Sequence, residues 1–314
     1  MSSFAQAQPI ATPTPKTRMA QKRLFPWMLV LPALTVLVVM GVAPLFYVLI
    51  LSVTDFSFNK PLEFVGLTHF IEAVQDDRFW KGIAITSWFV FGSVGLQLML
   101  GIASAWALSR IHNTVRYFAL TIILIPMLLS PILAGSLWKM LFKARYGAIN
   151  YLLEQVGITG VDWLANPTAA LIGVTIADVW QWTPFITLIL FAGIQSLSQE
   201  IHEAAYVDGA SLWQTFVRIT LPLLRPFIFL AVFLRMIDAF KTFDLIWGIT
   251  KGGQGSATES IALYTHKVAF TSFDLSYAAA MSLLQLIVII VLGKLLLNNL
   301  TQANAQRAAA STAL

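Results

Sequence analysis

Six stretches of nearly unbroken apolar residues, near 26–52, 83–108, 116–142, 169–194, 226–249 and 277–299, are separated by shorter polar segments. Each is long enough to supply the ~20 helical residues that cross a hydrocarbon core. None shows the alternation of a barrel strand, and a helix satisfies its own backbone in lipid. The pattern therefore predicts an all-α membrane protein with six transmembrane helices. The apolar run Leu24 to Val53 far exceeds the ~7–15 residues of a signal-peptide core, and no small-residue cleavage site interrupts it, so the first helix is expected to stay as an anchor. Residues 1–23, with Pro9, Pro13 and Pro15 ahead of Lys16, Arg18, Lys22 and Arg23, read as a disordered cytoplasmic tail. The transmembrane domain then covers 24–300, and 301–314 form a cytoplasmic C-terminal tail.

Orientation follows from where Lys and Arg collect. With the N-terminus inside, the inner segments hold the N-terminal bases, Arg110, Arg116, Arg218, Arg225, Lys294 and Arg307, against only Glu200, Glu203 and Asp208. Acids such as Asp76, Asp77, Glu154, Asp162, Glu259 and Asp274 fall outside, which gives an N-in, C-in chain. Composition agrees with lipid as solvent: 11% of the residues are charged, where a soluble domain carries about 25%. The net charge of +5 does not point to nucleic acid, because the bases flank apolar runs and form no single face. With no cysteine, a disulfide framework and thiolate metal sites are excluded. No phosphate-binding Gly-x4-Gly-Lys-Ser/Thr loop occurs, and Gly252-Gly253-Gln254-Gly255 reads as an outer turn. The four histidines, His69, His112, His202 and His266, form no arrangement with a nucleophile, and the chain is not expected to be an enzyme.

The polar segment 196–222 carries more order than a simple connection needs. Ser196-Leu197-Ser198-Gln199 has the capping-box spacing that starts a helix, and Asp208-Gly209 supplies a C-cap. Ser211-Leu212-Trp213-Gln214 repeats the box, and Pro222 is expected to break the second helix. Ala204 and Ala205 are small enough for close approach by a partner, and Leu212 and Phe216 are expected to share a face. The segment reads as a docking surface of two short helices. His202-Glu203-Ala204-Ala205-Tyr206 begins like a zinc-protease motif but has Tyr206 where the second histidine belongs, so no metal site is expected.

The spacing Glu203-Ala204-Ala205, Gly209, Ile219, Leu221-Pro222 resembles the signature loop of ABC-importer permeases. Further blocks resemble carbohydrate-uptake permeases of the maltose and glycerol-3-phosphate type: Tyr146–Asn150, Trp180-Gln181-Trp182-Thr183-Pro184-Phe185, Thr242–Trp247, Ala257-Thr258-Glu259, Phe273-Asp274-Leu275 and Tyr277–Ala280. The resemblance covers the first to the sixth apolar stretch. It implies a type I importer permease fold in which Glu203, Ala204, Ala205, Asp208, Gly209, Ile219, Leu221 and Pro222 form coupling helices, between helices four and five, against an ATPase subunit. It also implies a second homologous permease, an ABC ATPase dimer that binds the ATP and Mg, an extracytoplasmic solute-binding protein, a bacterial inner-membrane location and a carbohydrate-like substrate.

Polar groups at membrane depth need a partner or a wet cavity. Arg235, Asp238, Lys241 and Asp244 are spaced three apart with alternating sign, within pairing reach on a helix. Counting helical rise puts Asp178, Gln181, Asp238, Lys241 and Gln285 near one level, with Trp180 and Trp182 offering faces on which sugar rings stack. These seven residues are the candidate substrate pathway, and Pro184 is expected to bend or unwind the helix nearby. The competing reading is an ion-coupled secondary transporter working through Asp178 or Asp238.

Overall fold

The computed structural model describes residues 27–56 and 62–312, the side chains of 299–312 excepted. The tail read over 1–23 lies outside the described residues. Among the described residues, four helices are long and apolar enough to cross a membrane: α1 (Trp27–Ser52), α3 (Asp77–Arg110), α7 (Pro167–Gln195) and the apolar part, Leu275–Asn298, of α13 (Leu275–Thr312). Helix α13 continues through 301–312, the stretch read from sequence as a tail. Between α1 and α3 lie a short antiparallel pair, Thr54–Asp55 with Glu63–Phe64, and α2 (Thr68–Gln75).

The third apolar stretch is not one rod. Helices α4 (Asn113–Leu128) and α5 (Pro131–Leu141) meet at 94°. Pro131 opens α5 and forces Ser130, at φ −59° and ψ 136°, out of the helical region. Helix α6 (Ala148–Gln155) then leads to α7. Pro184 lies within α7 and leaves it continuous over Pro167–Gln195, contrary to the expected unwinding; without an N–H, proline costs a single backbone bond there.

After α7 come α8 (Gln199–Val207), α9 (Leu212–Leu223) and α10 (Arg225–Ala239), the last two bent by 62°. The fifth apolar stretch also breaks. Helix α10 ends at Ala239, and a separate short helix, α11 (Asp244–Ile249), begins after the irregular backbone of 240–243. The charged ladder therefore does not run along one helix: Arg235 and Asp238 lie on α10, Lys241 in the break and Asp244 in the first turn of α11. With α4–α5 and α9–α10 each counted as one span, the described residues hold up to six candidate spans by length and composition.

Broken backbone at membrane depth must be satisfied by other protein groups. Gln181 Nε2 donates to Leu129 O at 2.9 Å, in the break between α4 and α5. Gln285 Nε2 donates to Phe240 O at 3.0 Å, and Ser260 Oγ to Thr242 O at 3.2 Å. The half-helices α5 and α11 then pack backbone to backbone. A Cβ on Gly135 would lie 2.9 Å from Leu245 O and 3.0 Å from Gly248 Cα, so only small residues fit there. The main core closes around this contact, with Phe89, Trp138, Phe142, Met236, Leu245 and Ile249 buried together. The last connection passes the Gly252–Gly255 turn and α12 (Ile261–Phe270) before α13.

Candidate functional site

Two places merit description: the loop between α7 and α10, and a cavity beside the break after α10. Helix α8 starts at Gln199 behind Ser198, not at the Ser196 box; the Ser196 hydroxyl instead donates back to Gly193 O at 2.8 Å, inside the last turn of α7. Its end follows the predicted chemistry. Gly209 takes φ +73°, Ala210 N–H donates to Ala205 O and Gly209 N–H to Tyr206 O, both at 3.0 Å. That double bond pattern is a Schellman C-cap, which needs a left-handed residue at Gly209. The second box also forms: Ser211 Oγ accepts from Gln214 N–H at 3.3 Å, and Ser211 N–H donates to Gln214 Oε1 at 2.8 Å.

Pro222 does not end α9. The helix widens into a π turn over Phe216–Thr220, Leu221 and Pro222 continue it, and the bend falls at Leu224. A proline removes the N–H that the preceding turn would bond, and one wide turn absorbs the mismatch. Leu212 and Phe216 consequently part company. Leu212 and Trp213 are exposed, whereas Phe216 is buried against Trp106 of α3, ring centroids 4.9 Å apart. Trp213 closes the cluster at 6.1 Å from Trp106 and 5.8 Å from Phe216. Glu203, Ala204, Tyr206, Val207 and Asp208 face outward; Ala205 is buried beneath them, and Ile219, Leu221 and Pro222 are half-buried. A cavity of about 420 Å³ lies between the loop and the ends of α3 and α7, with His202 on its wall.

At membrane depth, Arg235 is 1% exposed and Asp178 0%. Arg235 Nη2 donates to both oxygens of Asp178 at 2.6 Å, Nη1 to Asp238 at 3.0 Å and Nε to Gln97 Oε1 at 3.1 Å. Gln97 Nε2 returns a bond to Asp178 Oδ2 at 2.8 Å. The guanidinium carbon sits 5.0 Å from the ring centroid of Trp182. This knot ties α3, α7 and α10 together and leaves Asp178 no unsatisfied oxygen to offer. Beside it lies a cavity of about 150 Å³, walled by Asp178, Trp182, Asp238, Lys241, Phe243 and Asp244. A groove of about 570 Å³ shares Lys241 and Phe243 with it and reaches Gln285 and His266.

Residues 97–309 match the family described as the binding-protein-dependent transport system inner membrane component. The chain belongs to this family. It is 36% identical over 269 residues to the trehalose/maltose transport system permease protein MalF of Thermococcus litoralis, covering 84% of this chain and 89% of that protein. Over 263 residues it is 32% identical to the sulfoquinovosyl glycerol transport system permease protein SmoG of Agrobacterium fabrum, with 83% and 85% covered. Among solved structures it is similar to a chain of a bacterial ABC transporter involved in the import of the acidic polysaccharide alginate. The TM-score is 0.80, at 21% identity over 92% of this chain and 99% of that one, a likeness of fold alone.

Within this permease the seven candidate pathway residues separate into three groups. Asp178, Trp182, Asp238 and Lys241 share the smaller cavity, although the Trp182 ring is taken up by Arg235. Gln285 and Lys241 share the larger groove, with the Gln285 amide committed to Phe240 O. Trp180 packs edge-on against Trp138 at 5.7 Å, and Gln181 is buried on Leu129 O, so neither borders the two cavities. Phe243, missed from sequence, is the aromatic wall common to both, stacked on Trp247 at 5.7 Å.

Sequence reasoning also missed a second charged cluster of the permease, at the end of α3 far from the α8–α9 loop, the outer end in the orientation read from sequence. Glu259 accepts from Arg78 Nε at 2.7 Å and Lys267 Nζ at 2.6 Å. Burial pushes its carboxyl up, but the hydrogen bonds and charges of Arg78 and Lys267 outweigh this and hold it below the usual range. Asp76 Oδ2 accepts from Tyr264 Oη at 2.6 Å and Tyr277 Oη at 2.9 Å. Against its own burial, those bonds and the Arg78 N–H bring Asp76 below its ordinary value. Burial, then the bond to Asp76, pushes the Tyr264 hydroxyl up to about 12. No local motif marks these pairs, whose members are about 180 to 200 positions apart except for Lys267.

Proposed function

We propose that this permease, paired with a second homologous permease, forms the translocation pathway of an ATP-driven importer for a carbohydrate-like solute in a bacterial inner membrane. The single observation that supports coupling is the α8–α9 unit. A Schellman cap and a capping box make it rigid, and it presents Glu203, Ala204, Tyr206, Val207, Leu212 and Trp213 to the outside. Apart from the ring contacts of Trp213 with Trp106 and Phe216, that edge is exposed apolar surface among the described residues, of the kind a partner covers. In this reading the termini and the loop are cytoplasmic, and an ABC ATPase dimer that holds the ATP and Mg grips the loop. An extracytoplasmic binding protein delivers the solute to the outer loops.

The mechanism then follows from the packing. Closure of the ATPases displaces α8 and α9. Phe216, seated on Trp106, passes the motion to α3, and Leu224 at the bend passes it to α10. Helices α3, α7 and α10 are tied by the Arg235 knot and move as one body, so the cavity beside Asp238 and Lys241 is exposed to alternate sides. The carbohydrate assignment is supported by the named solutes of the two relatives, a disaccharide pair and a sugar-glycerol conjugate.

An ion-coupled secondary transporter finds less support, because Asp178 is already neutralised by Arg235. The test combines Glu203→Lys with Gly209→Pro. Both ATPase co-purification and uptake should be lost while the permease remains in the membrane. Survival of both would refute the coupling role. Uptake that follows an ion gradient and continues after ATP depletion would favour the rival.

A further inference from the structure

The charges around the smaller cavity carry a statement about the solute. We infer that this cavity selects against negative charge and takes a neutral, polyhydroxylated sugar, rejecting a uronate, sulfonate or phosphate ester; the inference rests on the carbohydrate-import reading. Three carboxylates wall the cavity, from Asp178, Asp238 and Asp244. Of the two cations nearby, Arg235 is buried and spent on Asp178, Asp238 and Gln97, with its face against Trp182. Four of its five N–H donors are taken up there, and at 1% exposure it is sealed from a solute in the cavity. Lys241 alone reaches the cavity with an exposed ammonium, and it already lies 3.9 Å from Asp238 Oδ1, the two side chains being 60% and 47% exposed.

Asp244 is exposed in the first turn of α11 and forms no ion pair among the described residues. Even with Arg235, which lies behind the wall on Asp178 and Asp238, counted in, there is one more negative charge than positive: Asp178, Asp238 and Asp244 against Arg235 and Lys241. An anionic solute would have to take Lys241 from Asp238 while standing near carboxylates that repel it. A neutral sugar meets the opposite situation. Its hydroxyls donate to Asp238 and Asp244, a ring oxygen or hydroxyl accepts from Lys241, and Phe243 provides an apolar side for the ring.

The test is uptake by the assembled importer of a panel of neutral disaccharides, including maltose and trehalose, beside congeners in which one glucose is replaced by glucuronate. The binding protein is kept constant, so any change in the ratio between variants reports the permease. Wild type should take neutral members only. Asp244→Asn, which disturbs no ion pair, should raise the uronate-to-neutral ratio about threefold, and Asp238→Asn with Asp244→Asn about tenfold. Lys241→Met should lower neutral uptake, since it removes a donor to the sugar, without raising the uronate-to-neutral ratio. Preference of wild type for uronates, with loss of that uptake in Lys241→Met, would overturn the inference and leave the import reading standing. Entry of no sugar of either kind, from an importer that assembles and hydrolyses ATP, would overturn the carbohydrate reading itself.

Discussion

Arg235 at membrane depth and Glu259 at the outer end are each ringed by opposite charge, but their surroundings differ. Arg235 and Asp178 are both sealed from solvent, whereas the partners of Glu259, Arg78 and Lys267, are 48% and 29% exposed. At the outer end water can replace a lost partner. Inside, nothing can, since removal of one charge strands the other in a medium that penalises it. The same chemistry thus serves two purposes. The inner knot fixes three helices to each other, and the outer cluster fastens the start of α3 to α12 and α13 with bonds that solvent is able to exchange.

The largest expected effect breaks the inner knot. Arg235→Met leaves Asp178 buried with only the neutral Gln97 and Ser93 beside it and should cost about 3–5 kcal/mol. The variant should be recovered from detergent with a much lower melting temperature, or not at all. Asp178→Leu combined with Arg235→Met should regain most of the loss, because an apolar pair of similar volume needs no charge compensation. A single variant that melts with wild type would show that the inner and outer clusters are equivalent after all.

At the outer end, Glu259→Gln keeps the shape and removes the charge, and should cost only about 1–2 kcal/mol. Acid sharpens the contrast. The folded carboxyls of Glu259 and Asp76 lie below their ordinary values. Their contribution is therefore complete above the unfolded pKa, near 4, and is lost as pH falls through the lower folded value. Thermal melts should be flat from about pH 7 to pH 5 and decline below about pH 4. The decline should be shallower in Glu259→Gln. A melting temperature that rises on acidification would mean that the outer cluster repels more than it binds.

How much of this was legible depends on the distance between the partners. The α8–α9 loop is local, and Gly209, Ser211 and Gln214 announce their roles within five positions. Its one misplaced start, Ser196 for Ser198, is a choice between two serines that both satisfy a capping rule. The breaks in the third and fifth apolar stretches were not legible, since an apolar run looks the same whether straight or folded. The groups that make those breaks tolerable come from afar: Gln181 lies 52 positions from Leu129, and Gln285 lies 45 from Phe240. Both glutamines were noticed because a polar side chain at depth needs a partner. Sequence cannot say whether that partner is a sugar hydroxyl or the chain's own carbonyl. Asp178 was singled out on the same ground, and its partner is Arg235, 57 positions away.

The smallest effect tests whether the outer cluster owes its tolerance to shared bonds. Asp76 is held three ways: its Oδ1 accepts from Arg78 N–H at 2.8 Å, as the N-cap of α3, and its Oδ2 accepts from Tyr264 and Tyr277. Tyr277→Phe removes one of these and leaves two, so it should cost no more than about 1 kcal/mol. Tyr264→Phe alone should behave alike. The double variant should cost more than the sum, because only then does a partly buried oxygen lose all its donors from side chains. A cost for Tyr277→Phe as large as that for Arg235→Met would mean that solvent does not reach Asp76, and the outer end would have to be counted with the sealed interior.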